Sequence, residues 1–251
     1  GVQNTLIGGL AGDALTDADQ NVAIGASSLT TDTLGTGAVA IGYAALNEQN
    51  FTSATTNYNV AVGYKAGESV STGVQNTLIG GLAGDGMTTG GNNTAVGYES
   101  LSSVCTGSYN TAVGRIAMNA MTSGTENTGL GNAALYANTT GNYNTSVGSD
   151  SLKANISGHN NTALGFEALQ VATASYNTAV GSGALEANIL SGANVAVGQD
   201  ALTNHNLASA ANGFNVGIGT NAGAALTTGI QNTIVGGSSG AISTGTNNTA
   251  I

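Results

Sequence analysis

The chain has 251 residues, of which 40 are Gly, none is Pro or Trp, and only 6% are charged. Three basic residues stand against thirteen acidic ones, and the formal charge of -10 argues against nucleic acid and anionic membrane surfaces as partners. Hydrophobic residues make up 41% of the chain, which is too apolar for a disordered acidic tail, yet no apolar run is long enough to span a membrane.

A five-residue motif, seen at 93–97 as Asn93-Thr94-Ala95-Val96-Gly97, recurs along the whole chain. Most copies follow one another at 17 residues, and the two steps of 21 residues end at Gly63 and Gly219. A short fixed period is typical of a repeat array in which each repeat contacts its neighbours. We therefore expect 1–251 to be one continuous array, excerpted from a longer fibre. The motif glycines are Gly8, Gly25, Gly42, Gly63, Gly80, Gly97, Gly114, Gly131, Gly148, Gly165, Gly181, Gly198, Gly219 and Gly236.

Each motif predicts a short β-strand that ends at the glycine, because β-branched and small residues alternate through it. The alternation puts Thr or Val and an aliphatic residue on one face, and Asn and Ala on the other. We expect the aliphatic face to line the interior, so that Val96→Asp damages the fold far more than Glu99→Lys. The residues assigned to this structural motif are Asn93, Thr94, Ala95, Val96, Gly97, Asn110, Val113, Gly114, Asn144, Val147, Gly148, Asn177, Val180 and Gly181.

The second half of each repeat predicts a short segment and a turn. The third residue after the glycine is Ala or Ser, from Ala11 to Ser239, which indicates close approach by another wall of the coil or by another chain. A Thr- and Gly-rich turn such as Thr88-Thr89-Gly90 then closes the coil, and the charged residues lie at outward positions. The prediction is an all-β parallel β-solenoid of about fifteen coils of 17 residues. The extra residues of the two longer coils, 51–55 and 206–210, are expected to bulge from a corner.

Two further columns have structural explanations. Asn at the start of each motif can form an in-register ladder of side-chain hydrogen bonds, so it needs no ligand. The aromatic residues are interpreted as caps over the ends of a small-residue core, in preference to a sugar-binding ladder. They precede the motif Asn or follow the motif Gly, as Tyr58, Tyr109, Tyr143, Tyr176 and Phe214, and as Tyr43, Tyr64, Tyr98 and Phe166.

Chemistry-bearing residues are few and isolated. Cys105, His159 and His205 have no spacing that predicts a metal site or a nucleophile with its base, so all three are expected in surface or corner positions. The acidic cluster at 13–19 occurs once, whereas calcium-binding repeats carry Asp in every coil. We assign no catalytic, cofactor-binding or metal residues and expect no enzyme activity.

The motif also carries a resemblance. Asn21-Val22-Ala23-Ile24-Gly25, followed after two intervening residues by Ser28, resembles the head repeat of YadA-like trimeric autotransporter adhesins. The form at 93–101 is similar to repeats of bacteriophage tail fibres. This resemblance implies a left-handed parallel β-roll that assembles as a homotrimer around a common axis. The coil of this chain is longer than that of the adhesin heads.

These features favour the structural shaft of an extracellular fibre, either a surface adhesin or a phage tail fibre. Its partners are expected to be two further copies of itself and a host surface, matrix or glycan, where repetition increases avidity. A polysaccharide-cleaving β-helix tailspike is a second alternative, although such cleavage needs clustered carboxylates. An ice-binding β-solenoid with a flat Thr array is the third.

Overall fold

The computed structural model describes residues 1–251, and its regular elements are short β-strands that pair in parallel. The chain divides into two compact units, Gly1–Glu126 and Asn127–Ile251. Each repeat makes one coil, meaning one turn of a solenoid, and contributes one strand to the main sheet of its unit. The predicted all-β parallel β-solenoid is confirmed.

In the first unit, strand β8 pairs with β9 so that Thr94 faces Thr111, Ala95 faces Ala112 and Val96 faces Val113. The same register holds along the unit, so equivalent positions of successive repeats form columns. The short strands β3 and β5 form a separate two-stranded sheet. The strands are β1 (Thr5–Ile7), β2 (Val22–Ile24), β3 (Gly35–Thr36), β4 (Val39–Ile41), β5 (Thr55–Thr56), β6 (Val60–Val62), β7 (Thr77–Ile79), β8 (Thr94–Val96) and β9 (Thr111–Val113).

The second unit repeats this arrangement, with β14 and β16 as its separate two-stranded sheet. The strands are β10 (Thr128–Leu130), β11 (Thr145–Val147), β12 (Thr162–Leu164), β13 (Thr178–Val180), β14 (Ser191–Gly192), β15 (Val195–Val197), β16 (Ala211–Asn212), β17 (Val216–Ile218), β18 (Thr233–Val235) and β19 (Thr249–Ala250).

The inward face of the strands is the opposite of the predicted one. Ala95 is fully buried, whereas Thr94 and Val96 on either side of it are only half-buried. The predicted inward row is therefore wrong, since Val96, Val113, Val147 and Val180 all lie on the outside. The physical reason is space: the interior of a 17-residue coil admits a methyl group from the strand, because larger side chains enter it from the opposite side.

Those larger side chains come from the fourth position after the motif glycine. Leu101, Leu135 and Leu152 are fully buried there, and the Ala or Ser before them, such as Ser100, is also buried. Where the strand carries Leu78 instead of Ala, this position is Gly84, on which a Cβ atom would lie 2.8 Å from the Leu78 side chain. The small-residue columns thus reflect packing inside the coil. They do not require the neighbouring chain that their smallness had indicated.

The Asn column forms the predicted ladder, inside the coil. Asn93 donates its backbone N–H to Asn76 Oδ1 at 3.0 Å and its Nδ2 to the Gly107 carbonyl at 3.0 Å. The ladder is interrupted at Ala38, which donates its backbone N–H to Asn21 Oδ1 but has no side-chain amide to continue the ladder. In the following coil Asn57 Oδ1 accepts the N–H of Asn59 at 2.9 Å instead. Most members of the ladder thereby stay hydrogen-bonded along the stack, although the buried Nδ2 atoms of Asn57 and Asn177 have no hydrogen-bond partner.

The longer coils do not simply bulge. Their strands stay in register with both neighbours, as expected, but Phe51 in the first insertion is only 5% exposed and Thr55 pairs with Gly35 in the small sheet. In the second insertion 208–210 are exposed, and Ala211 then pairs with Ser191. Each insertion therefore adds a strand pair as well as an exposed loop.

Candidate functional site

The outer strand face is the most extensive candidate surface. We use this name for the first and third residues of the three-residue strands, which are Thr or Val and an aliphatic residue. In the second unit Leu164, Val197 and Ile218 on this face are 46%, 37% and 41% exposed. Contiguous exposed aliphatic side chains are typical of surfaces through which proteins associate. The predicted motif residues Asn144, Val147 and Gly148, and their equivalents elsewhere, thus divide into an inner ladder, an outer face and a turn.

Most charged side chains lie at the outward positions predicted for them, with the fully buried Asp32 as an exception, and four of them form two ion pairs. Lys65 Nζ lies 3.1 Å from Glu68 Oε1, and Lys153 Nζ lies 2.8 Å from Asp150 Oδ1. Burial raises the pKa of the Asp85 carboxyl, opposed by hydrogen bonds from its own backbone and that of Gly86 and reinforced by nearby acidic side chains. No group of three or more His, Cys, Asp or Glu side chains is placed to hold a metal ion.

The seventh position after the motif glycine is an inner column that the sequence analysis did not recognise. It contributes fully buried side chains of very different character, including Met87 and Leu226 as well as Asp32 and Gln49. The Asp32 carboxylate accepts hydrogen bonds from Gln49 Nε2 at 2.7 Å and from the Gly35 N–H at 3.0 Å. Apolar residues recur at this position and could have revealed the inner column from the sequence, but polar residues in several coils obscured the pattern.

His205 occupies this inner column, so the prediction that it lies in a surface corner is wrong. It is fully buried, with Nε2 2.9 Å from Ser191 Oγ and 3.1 Å from Asn215 Nδ2. Because the Asn215 amide donates, the network assigns Nε2 as an acceptor and the proton to Nδ1. Burial lowers the pKa of His205 to about 4, and the nearby backbone of Thr227 opposes the shift. The Ser–His contact lacks solvent access, and its evident role is to fix the second long coil.

Acidification is expected to destabilise the protein through His205. In the unfolded chain its pKa returns to the ordinary 6.5, whereas in the folded chain it is about 4. The contribution of neutral His205 to the free energy of unfolding is therefore fully present above pH 6.5. As the pH falls toward 4, the free energy of unfolding decreases by about 3 kcal/mol. Urea unfolding at several pH values should show that acidification lowers the unfolding free energy less in His205→Asn than in wild type, because Asn does not titrate. Asn is expected to fit this position, since Asn188 fills the same inner position of the preceding coil. Parallel pH curves for the two proteins would contradict this assignment.

The other two isolated residues differ from each other. Cys105 is also fully buried, contrary to the expected surface position, and burial raises its thiol pKa to about 11. Such a thiol is not a reactive nucleophile at neutral pH. His159 is exposed as predicted and packs edge-on against Tyr176, with ring centroids 6.0 Å apart.

The aromatic residues are not caps over the core. Tyr143, Tyr176 and Phe214, which precede the motif Asn in the second unit, are 54%, 60% and 55% exposed. In the first unit Tyr43 and Tyr64, which follow the motif Gly, stack on each other at 5.5 Å and are likewise exposed. Leu and Met side chains from the inner columns fill the core, and the aromatic rings therefore lie on the surface.

The chain contains no helix that could cross a membrane. Comparison with protein families, with curated proteins and with solved structures finds no match to this chain.

Proposed function

We propose that this chain is the structural shaft of an extracellular fibre, as in a surface adhesin or a phage tail fibre, and that its copies associate as homotrimers through the outer strand face. The observation that carries the proposal is the continuous presence of half-exposed aliphatic residues on this face, in every coil of each unit. The resemblance of the motif to trimeric adhesin heads supports the number three. A shaft of stacked coils needs no active site, because it works by presenting the same surface many times.

Charge placed on the outer strand face is expected to separate the copies while the fold remains. Wild type at micromolar concentration should sediment with three times the mass of the chain, and Val147→Lys with Leu164→Lys should sediment as a single chain. The reason is that two adjacent lysines would be buried without partners in the proposed interface, at a cost of several kcal/mol. Circular dichroism should report unchanged β-structure, because both residues point outward.

The control adds the same two charges elsewhere in the second unit. Ala208→Lys with Ser209→Lys alters exposed residues of the long-coil insertion and should leave the mass unchanged. A folded wild-type monomer would overturn assembly through this face. A trimer that survives the Val147 and Leu164 substitutions would place the interface on another surface.

Ice binding is a second candidate, favoured by one observation. Thr128, Thr145, Thr162 and Thr178 lie on four successive strands of the outer face, so their hydroxyls form a regular outward array. Thermal hysteresis that disappears in Thr145→Lys would support this alternative over the shaft. The tailspike alternative gains no comparable support, because the Ser191–His205 contact is buried.

A further inference from the structure

The aromatic row, defined as Tyr143, Tyr176 and Phe214, has a regular spacing within the second unit. These residues immediately precede the motif Asn of the coils that carry β11, β13 and β17, while β12 and β15 lie between them in the sheet. Strands β13, β15 and β17 pair directly and in register, so the long coil does not interrupt the spacing. Rings on alternate coils are two strand spacings apart, which is about 9.6 Å.

The backbone conformation at these positions makes aromatic residues an unfavourable choice for stability. Tyr143, Tyr176 and Phe214 have φ angles of 58°, 65° and 50°, in the left-handed region. Asn160, in the coil between Tyr143 and Tyr176, adopts the same conformation with φ 58°, and Asn tolerates it better than an aromatic residue does. Since the rings are more than half exposed, core packing does not offset this disadvantage. Their presence points to a contact made outside the chain.

The surroundings of the row are polar but uncharged. The residues that share its corner of the coils include Asn142, Asn160, His159 and Ser175, and no Asp, Glu, Lys or Arg occurs among them. Beside Tyr176 lies an open groove of about 310 Å³, lined by residues of three successive coils including Ser175, Leu190 and Asn212. Flat apolar rings flanked by amides and hydroxyls fit the faces and edges of uncharged sugar rings.

We propose that the aromatic row binds a linear, uncharged polysaccharide with β-1,4 linkages. An extended β-1,4-linked chain repeats every two sugars, over nearly the same distance that separates neighbouring rings of the row. One face of every second sugar can therefore stack on a ring, while the groove beside Tyr176 receives the hydroxyls of a sugar between them. This proposal specifies the class of ligand to which the proposed fibre would attach, and in that respect it rests on the proposed function. The aromatic row itself lies within a single chain and does not require the trimer.

Isothermal titration of the full chain with cellohexaose and with chitohexaose tests the inference, because six sugars span the three rings. Binding of at least one is expected, with maltohexaose binding far more weakly, since its α-1,4 linkages curve the chain away from the row. Tyr143→Asn, Tyr176→Asn and Phe214→Asn combined should weaken binding by at least about tenfold, as expected for the loss of three stacking contacts. Asn suits the backbone of these positions, so the variant should fold at least as well as wild type.

The matched control is Phe166→Ser, which removes an aromatic ring of similar exposure from the column after the motif Gly, where Ser149 and Ser182 occur in the adjacent coils. Its affinity should equal that of wild type. The inference is overturned if neither β-1,4 hexasaccharide binds, if maltohexaose binds equally well, or if the triple variant keeps wild-type affinity. It is also overturned if the triple variant changes the sedimenting mass, because the row would then be a contact between copies. Trimers that fail to bind sugar would refute this inference alone, and monomers that bind it would refute only the proposed assembly.

Discussion

Gly97→Ala is expected to lower the free energy of unfolding by about 3 kcal/mol or more. Gly97 has φ +132°, a conformation that side chains rarely adopt, and a Cβ atom there would lie 2.5 Å from the carbonyl oxygen of Gly114 in the next coil. Because that contact is with backbone, relief requires the two coils to move apart. Separation would also break the ladder bonds that join them, including the bond from the N–H of Gly114 to the carbonyl of Val96 at 2.8 Å. Urea unfolding followed by circular dichroism measures the change.

Gly81→Ala is the control for this prediction. Gly81 follows the preceding motif glycine, has no left-handed backbone, and a Cβ atom on it would meet only Tyr98 Cδ2 at an ordinary 3.7 Å. The unfolding free energy of this variant should stay within about 0.5 kcal/mol of wild type. Equal losses for the two alanine variants would show that the motif glycine is not required by the close approach of the coils.

Ala95→Asp is expected to destabilise the first unit by about 3 to 5 kcal/mol. Ala95 is fully buried between Leu78 and Ala112, its register partners in the neighbouring coils, and no cation is available inside the coil. The new carboxylate must therefore become protonated or force the coils open. Hydrogen exchange of the amides in β7, β8 and β9 measures the effect locally, and exchange should become much faster in all three strands.

Val96→Asp is the matched comparison, one residue further along the same strand. It points outward and is half-buried, so its carboxylate keeps access to water and exchange in β8 should change little in the single chain. Since Val96 also belongs to the outer strand face, the two variants are compared at a concentration where sedimentation shows single chains. Faster exchange in Val96→Asp than in Ala95→Asp would reverse the assignment of the two faces.

Backbone strain explains why the coils depend on one another. In the coil that begins at Gly97, Glu99, Leu101 and Tyr109 all have left-handed φ angles, of 53°, 52° and 61°. Each such residue costs on the order of 1 kcal/mol. All three donate their N–H groups to a neighbouring coil, to the carbonyls of Gly81, Ala117 and Gly91. A coil is therefore stable only in a stack, which is the expected behaviour of a repeat array.

Several features were predictable from the sequence because they depend only on period and local chemistry. The recurrence of Gly97 and its equivalents determined one coil per repeat, and parallel in-register strands follow from it. An Asn that returns at the same register can bond to its equivalents, so the ladder through Asn76 and Asn93 was also predictable. Charged side chains such as Lys153 face water in almost any fold, because leaving an unpaired charge buried is very unfavourable.

The tertiary structure alone decided which side of the strand is inside. Alternation with a period of two defines two faces but does not say which of them is buried, and the larger apolar residue Val96 was the natural choice for the core. The narrow interior reverses that choice, because Leu101 from the opposite wall fills the space and leaves room only for Ala95. The burial of His205 was equally inaccessible, because it depends on an inner column whose polar residues are paired only across the folded coils, as His205 is with Ser191. Local pattern thus determined the repeat, whereas the width of the coil determined which side chains form the core and which remain on the surface.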